Sequence, residues 1–584
     1  MSGSPKERSR LSGRIEPWKQ ALRDHAVGAA LAGVYVTWLL LTARSLGFAR
    51  DEGFYFRAAS DYARWFDLLF AHPAQAFSQS AIDASWATNH EHPALMKSLF
   101  ALSWMFLHER HTVFADASTA FRFPAMLLSG IGLWVTYLFG ARAYSRRAGL
   151  VAAVLLALSP GVFYHAHLAC FDAPIMSMWV LCLYVNWRAH VARSARWALL
   201  TGIAFGLALE TKHNAWLLPV VCVVHAAIAN RKPIGQQLRR GSVLLPANLV
   251  AMATIGPIVF YALWPWIWND TLNRLQGYVT FHLNHEYYNI EFLHRNYYGP
   301  PSPKAYVPVM IVATIPLVTL VLFAIGAIDR IGNFGARLLA RVRVRFPLGG
   351  RGPFARLVRS TERLAFDEDT HATDLLVFLA FAVPLGPFFL DKTPIFGGTK
   401  HWLPSYPFLA ILAGRGFDVV ATAMERAIAD GLDGARRRIA GVALFASVVG
   451  APLAITVHSH PFGLSAYTPI VGGTAGGADL GLNRQFWGFT TQSLAPYFAR
   501  AAPPGATVFV HDTAWDSWAR MLDERRIRPD LRAVGSPAEA DFSIVHHELH
   551  MEEVDVACWV TYGHDNPDYV LTHDGVPIIS VFRR

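Results

Sequence analysis

Residues 25–52 read HAVGAALAGVYVTWLLLTARSLGFARDE, an apolar stretch that ends in two adjacent carboxylates, Asp51 and Glu52. Residues 25–46 are long enough to cross a bilayer, since a helix needs about twenty apolar residues to do so. Ionisable groups at a membrane face are costly to desolvate, so their presence favours a site that uses their charge. The stretch predicts a membrane chain with a candidate site just after its first span.

The composition of the whole chain supports the same class. Of 584 residues, 53% are hydrophobic and 16% charged, and the mean hydropathy is +0.28, which is too apolar for an ordinary soluble protein of this size. The net charge is +10, but the basic residues gather in short loops between apolar spans, where they orient helices. We therefore expect membrane lipids as partners and no nucleic acid.

Further stretches are long and apolar enough to be membrane spans. They are 119–140, 148–168, 171–189, 213–229, 243–268, 305–328, 373–390, 402–424 and 438–457, with shorter candidates at 93–108 and 196–211. Together with the first span they predict an α-helical polytopic membrane domain over residues 25–457.

Charge in the loops predicts the orientation of these spans. Residues 1–24 form a basic amino-terminal segment that we expect to stay cytoplasmic. The loop at 329–372 is expected on the same side, because residues 330–363 contain nine Arg and one acid. Loops 47–92 and 269–303 then lie on the extracytoplasmic side. If 93–108 is counted as a full span, the loop at Arg142 falls on the extracytoplasmic side, which contradicts its basic charge. Either 93–108 does not cross the membrane, or one of the predicted spans contains two helices. We therefore predict 11 to 13 spans.

The character of the chain changes from residue 458, where fifteen acids face nine Arg and no Lys. Two stretches, 506–512 and 540–548, predict buried strands, and residues 569–582 predict a hairpin that turns at Asp574 and Gly575. Residues 458–584 are therefore expected to form a small extracytoplasmic α/β domain, which assists or gates the membrane site.

Several short motifs occur in a characteristic order. They are Asp51-Glu52, the segment HPALMK at 92–97, FDAP at 171–174, the Lys212 segment ETKHN and GGTKHWLPSYPF at 397–408. This order resembles that of the GT-C superfamily of membrane glycosyltransferases, over roughly residues 25–425. Within that superfamily it is most similar to protein O-mannosyltransferases and to the aminoarabinose transferases that modify lipid A. The tail segment 465–488 also resembles bacterial relatives of the mannosyltransferases. Such enzymes use a sugar linked to a polyprenyl phosphate.

The carboxylate pair suits the proton transfer that such a reaction needs. Attack of a hydroxyl on an anomeric carbon requires a base, and Asp51 is the candidate by its match to the family pair. Glu52 is the second catalytic candidate, or it orients the loop through backbone amides. The alternative for both is a helix cap, because acids at a helix start stabilise it by roughly 0.5–2 kcal/mol.

The leaving phosphate needs cations in a low-dielectric setting. Lys212 and Lys400 are the main candidates by their match to family lysines, although a lysine at a helix end also snorkels without any function. Arg295 is a further candidate cation, and His92, next to Glu91, is a candidate to hydrogen-bond the donor. The resemblance adds Tyr406 as a residue that contacts the phosphate or sugar. It also makes Asp172 a supporting residue, whose alternative role is an ordinary helix cap.

Glu91 and His285 form a candidate site for a divalent metal ion, since carboxylate and imidazole together bind such ions. The alternative is that they hydrogen-bond the substrate or one another.

We therefore expect a glycosyltransferase that transfers a sugar from a polyprenyl-phosphate donor to a protein, lipid or glycan acceptor. It is expected in a bacterial inner membrane, with its active site facing the periplasm. The alternative function is a transporter or flippase for a lipid-linked or anionic substrate.

Overall fold

The computed structural model describes residues 17–230, 245–345, 369, 371–395, 397–428 and 433–584, and helices dominate it up to Ser459. The helices of this part are α1 (Pro17–Thr42), α2 (Arg50–Ala71), α3 (Pro73–Ala76), α4 (Gln79–Trp86), α5 (Leu95–Trp104), α6 (Ala117–Ala143), α7 (Arg146–Ala157), α8 (Pro160–His167), α9 (Asp172–Ala192), α10 (Ala195–Thr211), α11 (Leu218–Ala229), α12 (Ala247–Leu263), α13 (Thr271–Leu283), α14 (Tyr306–Thr314), α15 (Leu317–Arg345), α16 (Thr373–Ala382), α17 (Tyr406–Ala427) and α18 (Gly434–Ser459).

Short tight turns of helix connect several of these elements. They are the 3₁₀ segments Ala43–Ser45, His213–Leu217, Pro265–Trp268, Val383–Phe389 and Lys400–Ser405, and a π-helical turn at Met105–Arg110. A small antiparallel hairpin, β1 (Ile290–Phe292) and β2 (Arg295–Tyr297), lies between α13 and α14.

The predicted spans coincide with apolar helices. Among the residues that the structure describes, five helical stretches are each long and apolar enough to cross a membrane, and the bent pair α7 and α8 would make a sixth. Shorter apolar helices occur at His213–Ala229, Ala247–Leu263 and Thr373–Phe389. The chain is an α-helical integral membrane protein, as predicted, while the count of 11 to 13 spans stays a prediction because several of these helices are short or broken.

Small residues let the long helices approach closely. Gly326 of α15 and Gly416 of α17 face each other's helix, and a Cβ atom on either would overlap the opposing backbone. Close backbone approach is the usual basis of helix association in membranes, where apolar side chains gain little by leaving lipid. Gly414 makes the same kind of contact with Ala148 of α7, so α17 is held between two neighbours.

Helices α1 and α6 run antiparallel between the same two faces of the helical part. At one end Arg146 pairs with Asp24, with 2.6 Å between Nε and Oδ1. At the other end Arg122 pairs with Glu52. The chain between these helices, residues 43–116, therefore begins and ends on one face. This arrangement favours the first alternative for the sidedness conflict, in which the short candidate span at 93–108 does not cross.

The face that carries Arg146 holds a set of ion pairs, which we call the arginine face. Its pairs are Arg146–Asp24, Arg147–Asp418, Arg415–Asp329 and Arg337–Asp374, with N···O distances of 2.6–3.1 Å. Helix α15 continues to Arg345, so the first part of the segment 329–372, predicted as a loop, is helical. Residues 1–16, 231–244 and 346–368, which include most of the predicted basic segments, lie outside the described residues.

The tail forms a five-stranded mixed sheet. Its strands are β3 (Thr507–Val510), β4 (Arg532–Val534), β5 (Phe542–His546), β6 (Tyr569–His573) and β7 (Val576–Arg583), in the order β4-β3-β5-β7-β6. Its helices are α19 (Gly473–Asp479), α20 (Ala495–Ala501), α21 (Trp515–Asp523) and α22 (Glu552–Tyr562), with 3₁₀ turns at Pro469–Val471, Phe489–Leu494, Pro537–Glu539 and Leu549–Met551. Strands β3 and β5 and the hairpin turn at Asp574-Gly575 confirm the three predicted features.

The tail packs on the face opposite the arginine face, which we call the site face. Phe48 and Phe56 of the first loop share one apolar core with Phe489 and Ile544 of the tail. Burial of a phenylalanine side chain contributes roughly 1.5–3 kcal/mol. The tail is thus docked directly over the residues that follow the first span.

Candidate functional site

Asp51 lies in the first turn of α2, and its carboxylate reaches a lysine from a distant loop. Its Oδ2 atom is 3.7 Å from Lys400 Nζ, and the side chain is 25% exposed. Lys400 follows Gly397 and Gly398, whose φ angles of 70° and 60° lie in the left-handed region. A Cβ atom on Gly397 would collide with the lysine side chain, so glycine is needed for Lys400 to fold back towards Asp51.

Lys400 also rests against the tail. Its ammonium lies 3.8 Å from the ring centroid of Trp487, and its side chain is only 4% exposed. A cation over the face of an indole gains electrostatic stabilisation, which increases as the pair loses water. Lys400 is therefore oriented by one partner from the helical part and one from the tail.

A second lysine–aspartate pair adjoins the first. Lys212 follows α10, Asp172 opens α9, and 2.6 Å separate Lys212 Nζ from Asp172 Oδ1 with both side chains buried. The charges of Lys212 and Lys400 both act on Asp172. Two predicted cations and two predicted acids thus form one cluster, Asp51, Lys400, Asp172 and Lys212, which we call the lysine–aspartate cluster. Because each lysine has an aspartate partner, the cluster can present positive charge to an anion while neither lysine is a buried cation without a counter-charge.

Glu52 does not share this setting, and its contacts favour the second of its two predicted roles, that of orienting the loop. The side chain is fully buried and accepts two hydrogen bonds of 2.7 Å from Arg122. It also accepts hydrogen bonds from the backbone N–H groups of Ala49 and Ala169. Because both oxygens accept hydrogen bonds and the side chain is fully buried, Glu52 is placed to hold the loop that carries Asp51.

The two predicted metal ligands each have a hydrogen-bond contact near in sequence. Glu91 Oε1 accepts a hydrogen bond from Asn89, and His285 Nδ1 lies 2.9 Å from the carbonyl oxygen of Glu286. In the part of the chain that the structure describes, no group of three ligand atoms within 4.8 Å includes either residue. A metal ion held by Glu91 and His285 therefore stays a prediction, and no chemical step is assigned to one.

His92 lies beside the cluster in an aromatic setting. Its ring is 5.6 Å from that of Phe171, which precedes Asp172, and 5.5 Å from that of His282. Burial, followed by the charges of His282 and Lys97, lowers the pKa of His92 well below its usual value. The neutral ring has a buried Nδ1 without a hydrogen-bond partner among the described residues, so it can still accept or donate to a bound substrate.

The other two predicted donor-binding residues differ in their placement. Tyr406 is buried at the start of α17, directly after the 3₁₀ segment that begins at Lys400. Arg295 is exposed on strand β2, and among the described residues no hydrogen bond or ion pair links it to the lysine–aspartate cluster. The hairpin that carries it instead bonds the tail through Glu291 and the N–H of Leu549. The donor-binding role of Arg295 is therefore not supported by this arrangement.

A link between Arg50 and the tail was missed by the sequence reasoning. Arg50 Nη1 donates to Asp512 Oδ1 at 2.8 Å, and the Asp512 side chain is 2% exposed. The backbone N–H of Arg50 donates to the carbonyl of Trp487. Burial raises the pKa of Asp512 to about 6, although Arg50 opposes the shift. Burial and the Asp512 charge also raise the pKa of Glu548 well above its usual value.

His165 and Trp487 are the other residues that were not predicted. The His165 ring lies 5.8 Å from that of Trp487, and both of its buried nitrogens lack a hydrogen-bond partner among the described residues. Trp487 lies within the tail segment 465–488 that carried part of the family resemblance, and this was the available signal. For His165, an imidazole inside an apolar span was the only sequence signal.

Comparison with known proteins supports the resemblance in one region. Residues 99–261 match the sequence model of the family described as dolichyl-phosphate-mannose-protein mannosyltransferase. Over 139 residues the chain is 33% identical to undecaprenyl phosphate-alpha-4-amino-4-deoxy-L-arabinose arabinosyl transferase 1 of Pseudomonas fluorescens, an alignment covering 22% of this chain and 24% of that protein. The chain thus spans about a quarter of the length of this curated relative.

Two solved structures are also similar. The crystal structure of ArnT from Cupriavidus metallidurans bound to undecaprenyl phosphate has 14% sequence identity and a TM-score of 0.43, covering 95% of this chain and 97% of that chain. The archaeal oligosaccharyltransferase AglB from Archaeoglobus fulgidus has 10% identity and a TM-score of 0.46, covering 93% of this chain and 71% of that chain.

The sequence matches confirm the predicted resemblance to membrane glycosyltransferases of the GT-C type. The region matched by the family model contains Asp172 and Lys212 but neither Asp51 nor Lys400. The assignment of individual site residues therefore depends on the geometry of the lysine–aspartate cluster.

Proposed function

We propose that the protein transfers a sugar from a polyprenyl-phosphate-linked donor to an acceptor hydroxyl at the site face. The observation that carries this proposal is the 3.7 Å approach of Lys400 Nζ to Asp51 Oδ2, with the Lys212–Asp172 pair beside it. A carboxylate that can take a proton and two cations that can face a phosphate are the groups that such a transfer needs.

The reaction is a single displacement. The acceptor oxygen forms a bond to the anomeric carbon as the bond from that carbon to the phosphate oxygen breaks, and the acceptor proton passes to Asp51. Lys400 and Lys212 neutralise the charge that develops on the departing polyprenyl phosphate. Attack from the face opposite the leaving group inverts the anomeric carbon. Tyr406 and His92 border the sugar or phosphate, and Asp172 holds Lys212 in place.

Sidedness supports a site outside the cytoplasm. Basic loops mark the cytoplasmic ends of membrane helices, and the arginine face carries Arg142, Arg146 and Arg147. Asp51 and the tail lie on the opposite face, so the active site faces the periplasm if the protein resides in a bacterial inner membrane. Similarity to the undecaprenyl phosphate-dependent arabinosyl transferase of Pseudomonas fluorescens favours an undecaprenyl-type carrier. The sugar is a hexose or pentose, and the acceptor is a protein, lipid or glycan.

The test is transfer from a labelled polyprenyl-phosphate sugar by the purified protein in vesicles that contain bacterial envelope lipids and glycans. Asp51→Asn keeps the shape of the side chain but removes the base, and we expect a loss of about 10²–10⁴-fold in turnover with unchanged thermal stability. Asp67→Asn is the matched control, because Asp67 lies on the same helix and its side chain is 59% exposed.

The result also separates this proposal from its alternatives. Movement of a lipid-linked substrate across the membrane that survives Asp51→Asn, without any transfer product, would identify a transporter or flippase. Full activity of Asp51→Asn would overturn the proposed base. Loss of transfer in Asp67→Asn as well would indicate damage to α2 and not loss of a base.

A further inference from the structure

A group of metal-ligating side chains lies outside the lysine–aspartate cluster, where the last long helix meets the tail hairpin. His458 is one residue before the end of α18 at Ser459, while His573 and Asp574 end β6 and begin the turn to β7. The three residues therefore come from two elements that are 115 positions apart and belong to different parts of the fold.

The ligand atoms converge. His458 Nε2 lies 2.8 Å from Asp574 Oδ1, and His573 Nε2 lies 3.8 Å from Asp574 Oδ2. One potential ligand atom from each residue falls within 4.8 Å of the others. In addition, Thr474 donates a hydrogen bond of 3.0 Å to Asp574 Oδ2, which is the kind of outer contact that orients a carboxylate ligand.

The buried histidine carries an unused nitrogen that points to this group. His573 is 8% exposed, and its Nε2 atom is buried without a hydrogen-bond partner among the described residues. A buried polar atom without a partner is unfavourable. A metal ion bound to that nitrogen removes the penalty and gives the histidine a role that the surrounding protein does not provide.

We propose that His458, His573 and Asp574 bind a zinc-type divalent transition-metal ion that ties the tail hairpin to the last membrane helix. Two imidazoles and one carboxylate suit Zn²⁺, which prefers nitrogen and oxygen ligands at about 2.0–2.2 Å in a tetrahedron. The three atoms must draw together for this, and His458 can move because its side chain is 66% exposed. Water occupies the fourth position.

The experiment is a Zn²⁺ titration of the full-length protein in detergent, after removal of metal with a chelator and in competition with a chromogenic zinc chelator. We expect the original protein to bind one Zn²⁺ equivalent. In His458→Ala and in Asp574→Asn the affinity for Zn²⁺ should be at least about 100-fold lower. His458→Ala is the main variant, because an exposed side chain can be removed without disturbing the fold.

Two further variants make the test specific. Thr474→Val keeps all three ligands and removes the outer hydrogen bond, so we expect a loss of about 10-fold in Zn²⁺ affinity. His72→Ala removes an exposed histidine on the distant end of α2 and should bind Zn²⁺ as the original protein does. Zn²⁺ should also slow proteolysis within 458–584 in the original protein and in His72→Ala, but not in His458→Ala.

The proposal is overturned if the original protein takes up no Zn²⁺ at micromolar concentrations. It is also overturned if His458→Ala and Asp574→Asn keep the stoichiometry and affinity of the original. Loss of the bound equivalent in Glu91→Gln, with full binding in His458→Ala, would place the metal at Glu91 and overturn the proposal too. None of these outcomes depends on glycosyl transfer, so failure here leaves the proposed function unaffected.

Discussion

Two adjacent carboxylates of α2 have opposite surroundings. Glu52 is fully buried and saturated by Arg122 and two backbone N–H groups. Asp51 is 25% exposed and lies 3.7 Å from Lys400. Successive residues of a helix point about 100° apart, so one carboxylate turns into the protein and its neighbour turns towards the mouth of the site.

This difference separates a structural charge from a chemical one. An ion pair whose atoms are all occupied resists proton transfer and ligand binding, whereas a carboxylate open to water on one side can exchange protons with a bound hydroxyl. Position within a DE motif therefore does not assign a role. If the division holds, changes at Glu52–Arg122 should lower the stability of the fold, and changes in the lysine–aspartate cluster should lower turnover.

Glu52→Gln should break the supporting pair. It leaves the Arg122 guanidinium buried without a counter-charge, and such a loss typically costs about 3–5 kcal/mol. We expect a large fall in the thermal midpoint in detergent. In Glu52→Gln/Arg122→Met both charges are gone, so part of the stability should return. A single variant as stable as the original protein would mean that the pair supports nothing.

Lys400→Met changes the lysine–aspartate cluster and should affect turnover more than stability. Removing a cation that faces the leaving phosphate should lower turnover by about 10²–10³-fold, which is the typical cost of losing one charge-stabilising donor. The thermal midpoint should change little compared with that of Glu52→Gln. Lys304→Met is the control, because Lys304 is 67% exposed and pairs with an exposed acid. Unchanged turnover in Lys400→Met would remove this lysine from the mechanism.

Asp512 predicts a pH dependence for docking of the tail. Burial raises its folded-state pKa from 3.8 to about 6, so the folded protein holds this proton more tightly than the unfolded chain. The resulting stabilisation is complete below pH 3.8 and is lost as pH rises through 6, with a slope of at most about 1.4 kcal/mol per pH unit. Asp512→Asn should flatten the stability profile between these values. The same slope in the variant would assign it to another group, such as Glu548.

Trp487→Leu should give the smallest change. It removes the cation–π contact with Lys400 but keeps an apolar side chain, so we expect a loss of about 2 kcal/mol of interaction, as for a desolvated pair. Turnover should fall by about 30-fold or less, while Trp487→Phe should retain most of it because a ring face remains. Turnover in Trp487→Leu equal to that of the original protein would show that the cation–π contact does not position Lys400.

Some features followed from pattern alone. The helices, strands β3 and β5 and the hairpin at Asp574 were predicted, because apolar periodicity and turn chemistry act over a few residues. The alternatives left open at 93–108 have the opposite origin: a short apolar helix has the same sequence pattern whether it crosses a membrane or lies at its face. The ion pairs Arg146–Asp24 and Arg122–Glu52 favour the second of these.

The amino-acid sequence by itself determined that this chain inhabits a membrane, where its apolar segments lie, and that Asp51, Lys212 and Lys400 belong to candidate motifs. Hydropathy and local motifs carry that information because each depends on neighbouring residues. Only the tertiary structure decided that Asp51 lies next to Lys400 and that Glu52 pairs with Arg122. It also decided that two tail residues reach this region, Trp487 against Lys400 and Asp512 against Arg50. Those contacts join residues that are far apart in the sequence, from 70 positions for Glu52 and Arg122 to 462 for Arg50 and Asp512. Their energies depend on burial and distance, which no local pattern contains.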